Sequence, residues 1–181
     1  MLYKVFFILT LLFIRPCLSG QVPSPPSAAT TCPQLFVCFT PAQKCAPHIL
    51  HILSQARQEI LVQAYYLTNP EIVDLLVKSK QEGKDVRVIV DSAMDSDKTR
   101  IFLQKLINAG AEVRIDFKSI AHNKVMILDR IFVITGSYNF TKSAENRNVE
   151  NVLFIQDPAI SAQYLNNFMD RWRTSYGYSK F

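Results

Sequence analysis

His122-Asn123-Lys124-Val125-Met126-Ile127-Leu128-Asp129-Arg130-Ile131-Phe132-Val133-Ile134-Thr135-Gly136-Ser137-Tyr138-Asn139 is the stretch that decides how this chain is read. It holds two strand-length apolar runs, Lys124 to Leu128 and Ile131 to Thr135, around the joint Asp129-Arg130. Two such runs so closely joined predict a hairpin, so part of the sheet is antiparallel. A strand has a period of two, which points His122 and Lys124 the same way, with Met126 and Leu128 on the face of Lys124. Val125, Ile127 and Asp129 fall on the opposite face. An imidazole and an ammonium therefore stand side by side at the mouth of a strand whose remainder is core. Ser137 and Asn139 share a side by the same rule, on the turn after the second strand. Gly136 lets the backbone approach closely there.

Working outward, strand and helix signals alternate. Leu35 to Phe39 is a short apolar strand. Pro47 opens a helix to about Gln58, with Ile49, Leu50, Leu53 and Ala56 on one face. Glu59 to Leu67 reads as a strand. Thr68 and Glu71 frame a helix start that Gly83 closes. Val86 to Val90 is a strand, Lys98 to Ala109 a helix ended by Gly110, and Val113 to Phe117 and Val149 to Ile155 are strands. Pro158 opens a last helix to about Tyr176, in which Tyr164, Phe168 and Trp172 fall at core-facing spacing. The order β-α-β-α-β-α, then a cluster of strands, then a helix predicts an α/β fold: a mixed β-sheet sandwiched between helices.

Composition bounds the class. With 49% hydrophobic and 19% charged residues the chain is globular rather than disordered. Its 181 residues suffice for one domain with a real core. Lys4, the apolar run Val5 to Ile14 and the small residues up to Gly20 match a secretory signal over residues 1–20. The run is shorter than the roughly 20 residues of a spanning helix, so no permanent membrane anchor is expected. The predicted location is secreted or periplasmic. Residues 21–33 form a Pro/Ser-rich leader and 34–181 the folded domain. The formal charge of +5 becomes +3 once Lys4 and Arg15 leave with the signal (18 basic against 15 acidic residues). That mild excess suits a polyanion without requiring one.

Export favours a disulfide. Cys32, Cys38 and Cys45 remain after the signal. Cys38 and Cys45 flank a short turn and are the expected pair, with three unpaired thiols the alternative. Cys45, His48 and His51, spaced by three, form at best a weak zinc set with no fourth ligand in view. Asp91, Asp95 and Asp97 read as a solvated loop and helix N-cap.

The chemistry lies in the pattern H-x-K-x4-D-x6-G-S-x-N. Six fixed positions at this spacing arise by chance in such a chain with a probability on the order of 10⁻⁵ or less. A phosphate suits it: an ammonium neutralises charge while an imidazole attacks or donates a proton. Carried by His122, Lys124, Asp129, Gly136, Ser137 and Asn139, with the following Thr141 to Asn151, the segment resembles the signature of the phospholipase D superfamily. From about Cys38 onward the chain resembles that superfamily's small single-motif bacterial endonucleases. Gln63-Ala64-Tyr65-Tyr66-Leu67-Thr68 resembles the strand end before their second helix.

The resemblance implies a mechanism. Two motifs meet at one site, so a chain with one motif works as a C2 homodimer. One His122 forms a phosphohistidine and the other protonates the leaving oxygen, then activates water. Lys124, Ser137 and Asn139 hold the phosphate. Glu150 accepts a hydrogen bond from the ring of His122, and Asp129 supports the dimer site. No metal or other cofactor is required. The implied function is a metal-independent, largely non-specific endonuclease acting on DNA or RNA. Phospholipid headgroup cleavage is the enzymatic alternative, and a non-catalytic nucleic-acid-binding or secretion-system component is another. A lipid enzyme should show an exposed apolar collar, and none is expected beyond the signal. Lys142 and Arg147 either steer a nucleic-acid backbone or form an ordinary charged loop.

Overall fold

The computed structural model describes residues 32–178; the expected signal over 1–20 and nearly all of the expected leader over 21–33 lie outside the described residues. One eight-stranded mixed sheet organises the domain. Its strands are β1 (Gln34–Thr40), β2 (Glu59–Ala64), β3 (Asp85–Asp91), β4 (Glu112–Asp116), β5 (Lys124–Leu128), β6 (Phe132–Gly136), β7 (Glu150–Gln156) and β8 (Tyr176–Gly177). The helices are α1 (Ala46–Ser54), α2 (Pro70–Gln81), α3 (Arg100–Asn108), α4 (Lys142–Asn146) and α5 (Pro158–Thr174).

The strands lie in the order β1-β7-β6-β5-β2-β3-β4-β8. β2, β3 and β4 are parallel, joined by crossovers through α2 and α3. β5, β6, β7 and β1 continue from β2 as antiparallel neighbours. Between β5 and β6 the direction follows from connection length: the three residues 129–131 allow only a hairpin, whereas a parallel return needs a dozen residues or more. The hairpin turn is Asp129-Arg130, both with left-handed backbone (φ 50° and 59°).

Period-two alternation sorts the strands onto two cores. Ile60, Val62, Val88, Val90, Met126 and Leu128 face α1, α2 and α3 through Ile49, Leu53, Ile72, Leu76, Leu103 and Leu106. Leu61, Ile89, Val125, Ile127, Val133 and Ile155 face α5, where Phe168 stacks on Trp172 at 5.5 Å between ring centroids. The aromatic positions of the last helix are thus core, as their spacing predicts.

Boundaries moved where a side chain outweighed the pattern. α2 is capped by Asn69, not Thr68: the Asn69 side chain accepts from the amide of Glu71 and Pro70 occupies the first turn. α1 stops at Ser54 rather than near Gln58, because the amides of Arg57, Gln58 and Glu59 turn to the carboxylate of Asp129. α4 and β8 are too short for a periodic signal.

Candidate active site

One end of the sheet gathers the chemistry. The registers Ala64↔Lys124, Val125↔Thr135, Gly136↔Val152 and Thr40↔Glu150 bring the C-terminal ends of β2, β6 and β1 beside the starts of β5 and β7. His122, Lys124, Ser137, Asn139 and Glu150 all stand at or just beyond this end.

Lys124 begins β5 and is 5% exposed. Its Nζ donates to the carbonyl of His122 at 2.7 Å and lies 5.1 Å from the centroid of the Tyr65 ring. Burial pushes its pKa below the ordinary lysine value, while the nearby charge of Glu150 pulls it back. Burying an ammonium is costly, and here the His122 carbonyl, the Tyr65 ring and the charge of Glu150 offset that cost. His122 is exposed, with its ring 4.6 Å from that of Tyr65. Tyr65 therefore forms a wall against which both groups rest. The resemblance of Gln63–Thr68 to a strand end carries no signal for this role of Tyr65, which depends on a partner far along the chain.

The loop that delivers His122 is pinned from two sides. Asp91 accepts from the amide of Ala121 at 2.7 Å and from that of Ala93 at 2.8 Å. Arg171 of α5 pairs with buried Asp116 and donates to Ser119 Oγ at 3.0 Å. Asp91 is thus a buried loop anchor as well as a cap, not a solvated carboxylate. Asp97 is the solvated loop carboxylate, whereas Asp95 pairs with Arg100 and accepts from the Tyr178 hydroxyl and caps no helix start.

The turn after β6 has its own logic. Tyr138 and Phe140 are buried and alternate with exposed Ser137 and half-buried Asn139. Gly136 has φ 147°, and a Cβ there would lie 2.2 Å from the carbonyl oxygen of Asn151. Only glycine lets β6 run so close to β7. The buried Asn139 Oδ1 has no hydrogen-bond partner among the described residues.

Two expectations need correction. Glu150 accepts from Ser137 Oγ at 2.5 Å and from Asn148 Nδ2 at 3.0 Å, and the ring of His122 is not bonded to it within the described chain. Asp129 is not at the site. Five strand positions separate it from Lys124, about 16 Å at strand rise. Its carboxylate accepts the amides of Arg57 (2.7 Å), Gln58 (2.8 Å) and Glu59 (2.9 Å). Burial alone would raise its pKa, but these three donors hold it below the usual carboxylate value.

A third correction concerns surface character. Phe117 (58% exposed), Ile120 (76%) and Val149 (88%) lie on the segments that lead into His122 and Glu150, so exposed apolar side chains occur close in the chain to the site residues. Cys38 and Cys45 are joined in a disulfide, which removes Cys45 from any zinc set. His48 packs instead against Phe36 and Phe154. Cys32 is a free, exposed thiol.

An exposed imidazole and a buried ammonium against one tyrosine ring, with a serine, an amide and a carboxylate at the same end of the sheet, have the chemistry to hold a phosphate and to attack it. The family model described as "Cardiolipin synthase, PLD-like domain" matches residues 49–172, and the chain belongs to the phospholipase D superfamily of phosphodiesterases. It is 39% identical over 139 residues to a phospholipase D of Rickettsia felis, covering 76% of this chain and 69% of that one. It is 31% identical over 155 residues to a mitochondrial cardiolipin hydrolase of Mus musculus, covering 84% and 67%. The crystal structure of Nuc from Salmonella typhimurium, a phospholipase D family member, superposes with a TM-score of 0.78 at 32% identity, covering 82% of this chain and 99% of that one.

Proposed function

We propose that this phosphodiesterase is a metal-independent, largely non-specific endonuclease, secreted or periplasmic, whose active site is completed by a second copy of the chain. The observation that carries the chemistry is the gathering of His122, Lys124, Ser137, Asn139 and Glu150 at one end of the sheet, with the ammonium held by the His122 carbonyl and both His122 and Lys124 set against the Tyr65 ring. His122 attacks phosphorus, an N–P bond forms and the P–O bond to the leaving group breaks. The leaving oxygen takes its proton from the His122 of the second copy. That imidazole then removes a proton from water as the water oxygen bonds to phosphorus, the N–P bond breaks and the first His122 is released. Lys124, Ser137 and Asn139 stabilise the charge that develops on the phosphoryl oxygens. Each chain supplies one imidazole and the reaction uses two, which is why a dimer is part of the proposal.

A nucleic-acid backbone suits the open setting. His122, Asn123, Ser137 and Asn148 are exposed, and Lys142 and Arg147 follow the turn as exposed cations able to meet flanking phosphates. A phospholipid is the second reading. Phe117, Ile120 and Val149 favour it, as do the names of the Rickettsia and mouse relatives. The deciding experiment offers the purified chain plasmid DNA, RNA, or vesicles of cardiolipin and phosphatidylcholine, all in EDTA, alongside His122→Ala. Nucleic-acid cleavage lost in the variant supports the endonuclease. Lipid turnover alone replaces it with the second reading. Binding without turnover of any substrate refutes both.

A further inference from the structure

Behind the phosphate-binding turn stands a carboxylate that the proposed reaction does not use. Glu145 of α4 is 8% exposed, and its Oε2 accepts three hydrogen bonds. Two come from the start of α1, the amides of Cys45 (3.2 Å) and Ala46 (2.9 Å). The third comes from the hydroxyl of Tyr138 (3.0 Å), the buried residue between Ser137 and Asn139. α1 has no side-chain cap of its own at Cys45, so Glu145 satisfies amides that the helix leaves free. The positive end of the helix in turn favours the carboxylate. Burial, and then the charge of Glu145, push the Tyr138 phenol well above the ordinary tyrosine range, so it remains a neutral donor.

The other end of this tie is covalently held. Cys45 is bonded to Cys38 in β1. The turn between them touches the site a second time, where Thr40 Oγ1 donates to the carbonyl of Asn148 at 3.0 Å and Thr40 lies opposite Glu150 in the sheet. The disulfide turn thus backs both Tyr138 and the strand start that carries Glu150.

We propose that Glu145 is a positioning residue, tying the Ser137–Asn139 turn to the start of α1, and that the Cys38–Cys45 disulfide keeps this tie in register, so that turnover follows the state of the disulfide. The proposal rests on the placement of the phosphate at Ser137 and Asn139 given above. Opening the bond is thiol–disulfide exchange: an added dithiol is oxidised to its cyclic disulfide while Cys38 and Cys45 each gain a hydrogen. Cys45 then loses its anchor, and a buried carboxylate with fewer donors draws the turn out of position.

The test uses the full chain and bis(p-nitrophenyl) phosphate, a plain diester that is neither nucleic acid nor lipid. Turnover is followed with and without dithiothreitol for wild type, Tyr138→Phe, Glu145→Gln and the double variant Cys38→Ser/Cys45→Ser. Folding is checked by circular dichroism. Tyr138→Phe keeps the ring's packing but removes the donor; it should lower kcat about tenfold with KM changed less than threefold. Glu145→Gln retains an acceptor and should fall between it and wild type. Reduced wild type should lose several-fold in kcat and regain it on reoxidation. The double variant should start low and ignore the reductant. Unchanged turnover in wild type with two extra titratable thiols, or wild-type kcat in Tyr138→Phe, overturns the proposal. If the unmodified chain hydrolyses no diester, the functional reading fails separately. Hydrogen exchange at residues 137–141 then decides the tie: faster exchange on reduction upholds it, and unchanged exchange refutes it.

Discussion

Removing the carboxylate of Asp129 separates a structural role from a catalytic one, although the motif places it with His122 and Lys124. Asp129→Ala strips the acceptor from three amides at 2.7, 2.8 and 2.9 Å. A hydrogen bond to a charged group is worth about 1.5–3 kcal/mol when buried. Arg57 and Gln58 are exposed, so water recovers most of the loss for their amides; Glu59 is buried, and its amide is not so easily rehydrated. A total loss of about 2–3 kcal/mol results, or roughly 5–10 °C in Tm for a domain of this size. Asp129→Asn keeps one acceptor and tolerates the left-handed backbone, so it should cost about half as much. The pH dependence has a definite sign. The folded pKa lies below the unfolded value of about 3.9, so the stabilisation is complete above that value and disappears as pH falls through the folded pKa. The gap between wild type and Asp129→Ala in urea unfolding should therefore be full at pH 7 and close below about pH 4. Phosphodiester kcat/KM, measured at 20 °C where both proteins are folded, should change less than threefold. A tenfold loss of kcat/KM in a variant that melts normally would refute the structural assignment.

Lys124→Met should abolish turnover, by about a thousandfold or more, yet leave stability at pH 7 unchanged or raised. Burial lowers the folded pKa of this lysine, so the cost of its charge is present at neutral pH and vanishes only above the unfolded value of about 10.4; paired activity and urea measurements check both halves. Gly136→Ala should lose about 3 kcal/mol or more, because the new Cβ meets a backbone oxygen at 2.2 Å and the φ of 147° suits glycine, and chemical denaturation should show it. Two imidazoles that must be one neutral and one protonated titrate as a coupled pair, so kcat/KM against pH should be bell-shaped; a flat profile from pH 5 to 9 would count against a two-histidine reaction.

The sequence by itself determined the parts governed by short-range rules. Strand alternation placed Lys124 with Met126 and Leu128 and turned Val125 and Ile127 to the other core. The Asp129-Arg130 joint required a hairpin, and Gly136 marked a close backbone approach, although only the structure shows that the approach is to Asn151 of β7. These follow from backbone period and local sterics, which need only neighbouring residues. What only the tertiary structure decided involves partners far apart in the chain. The Tyr65 wall beside His122, the hold of Asp91 and Arg171 on the loop before it, and the three donors on Glu145 have no local signature, because each pairs residues brought together by the sheet. Asp129 shows the difference most plainly: its spacing from His122 and Lys124 reads as part of one motif, but an extended strand carries it about 16 Å from Lys124, to the opposite end of the sheet.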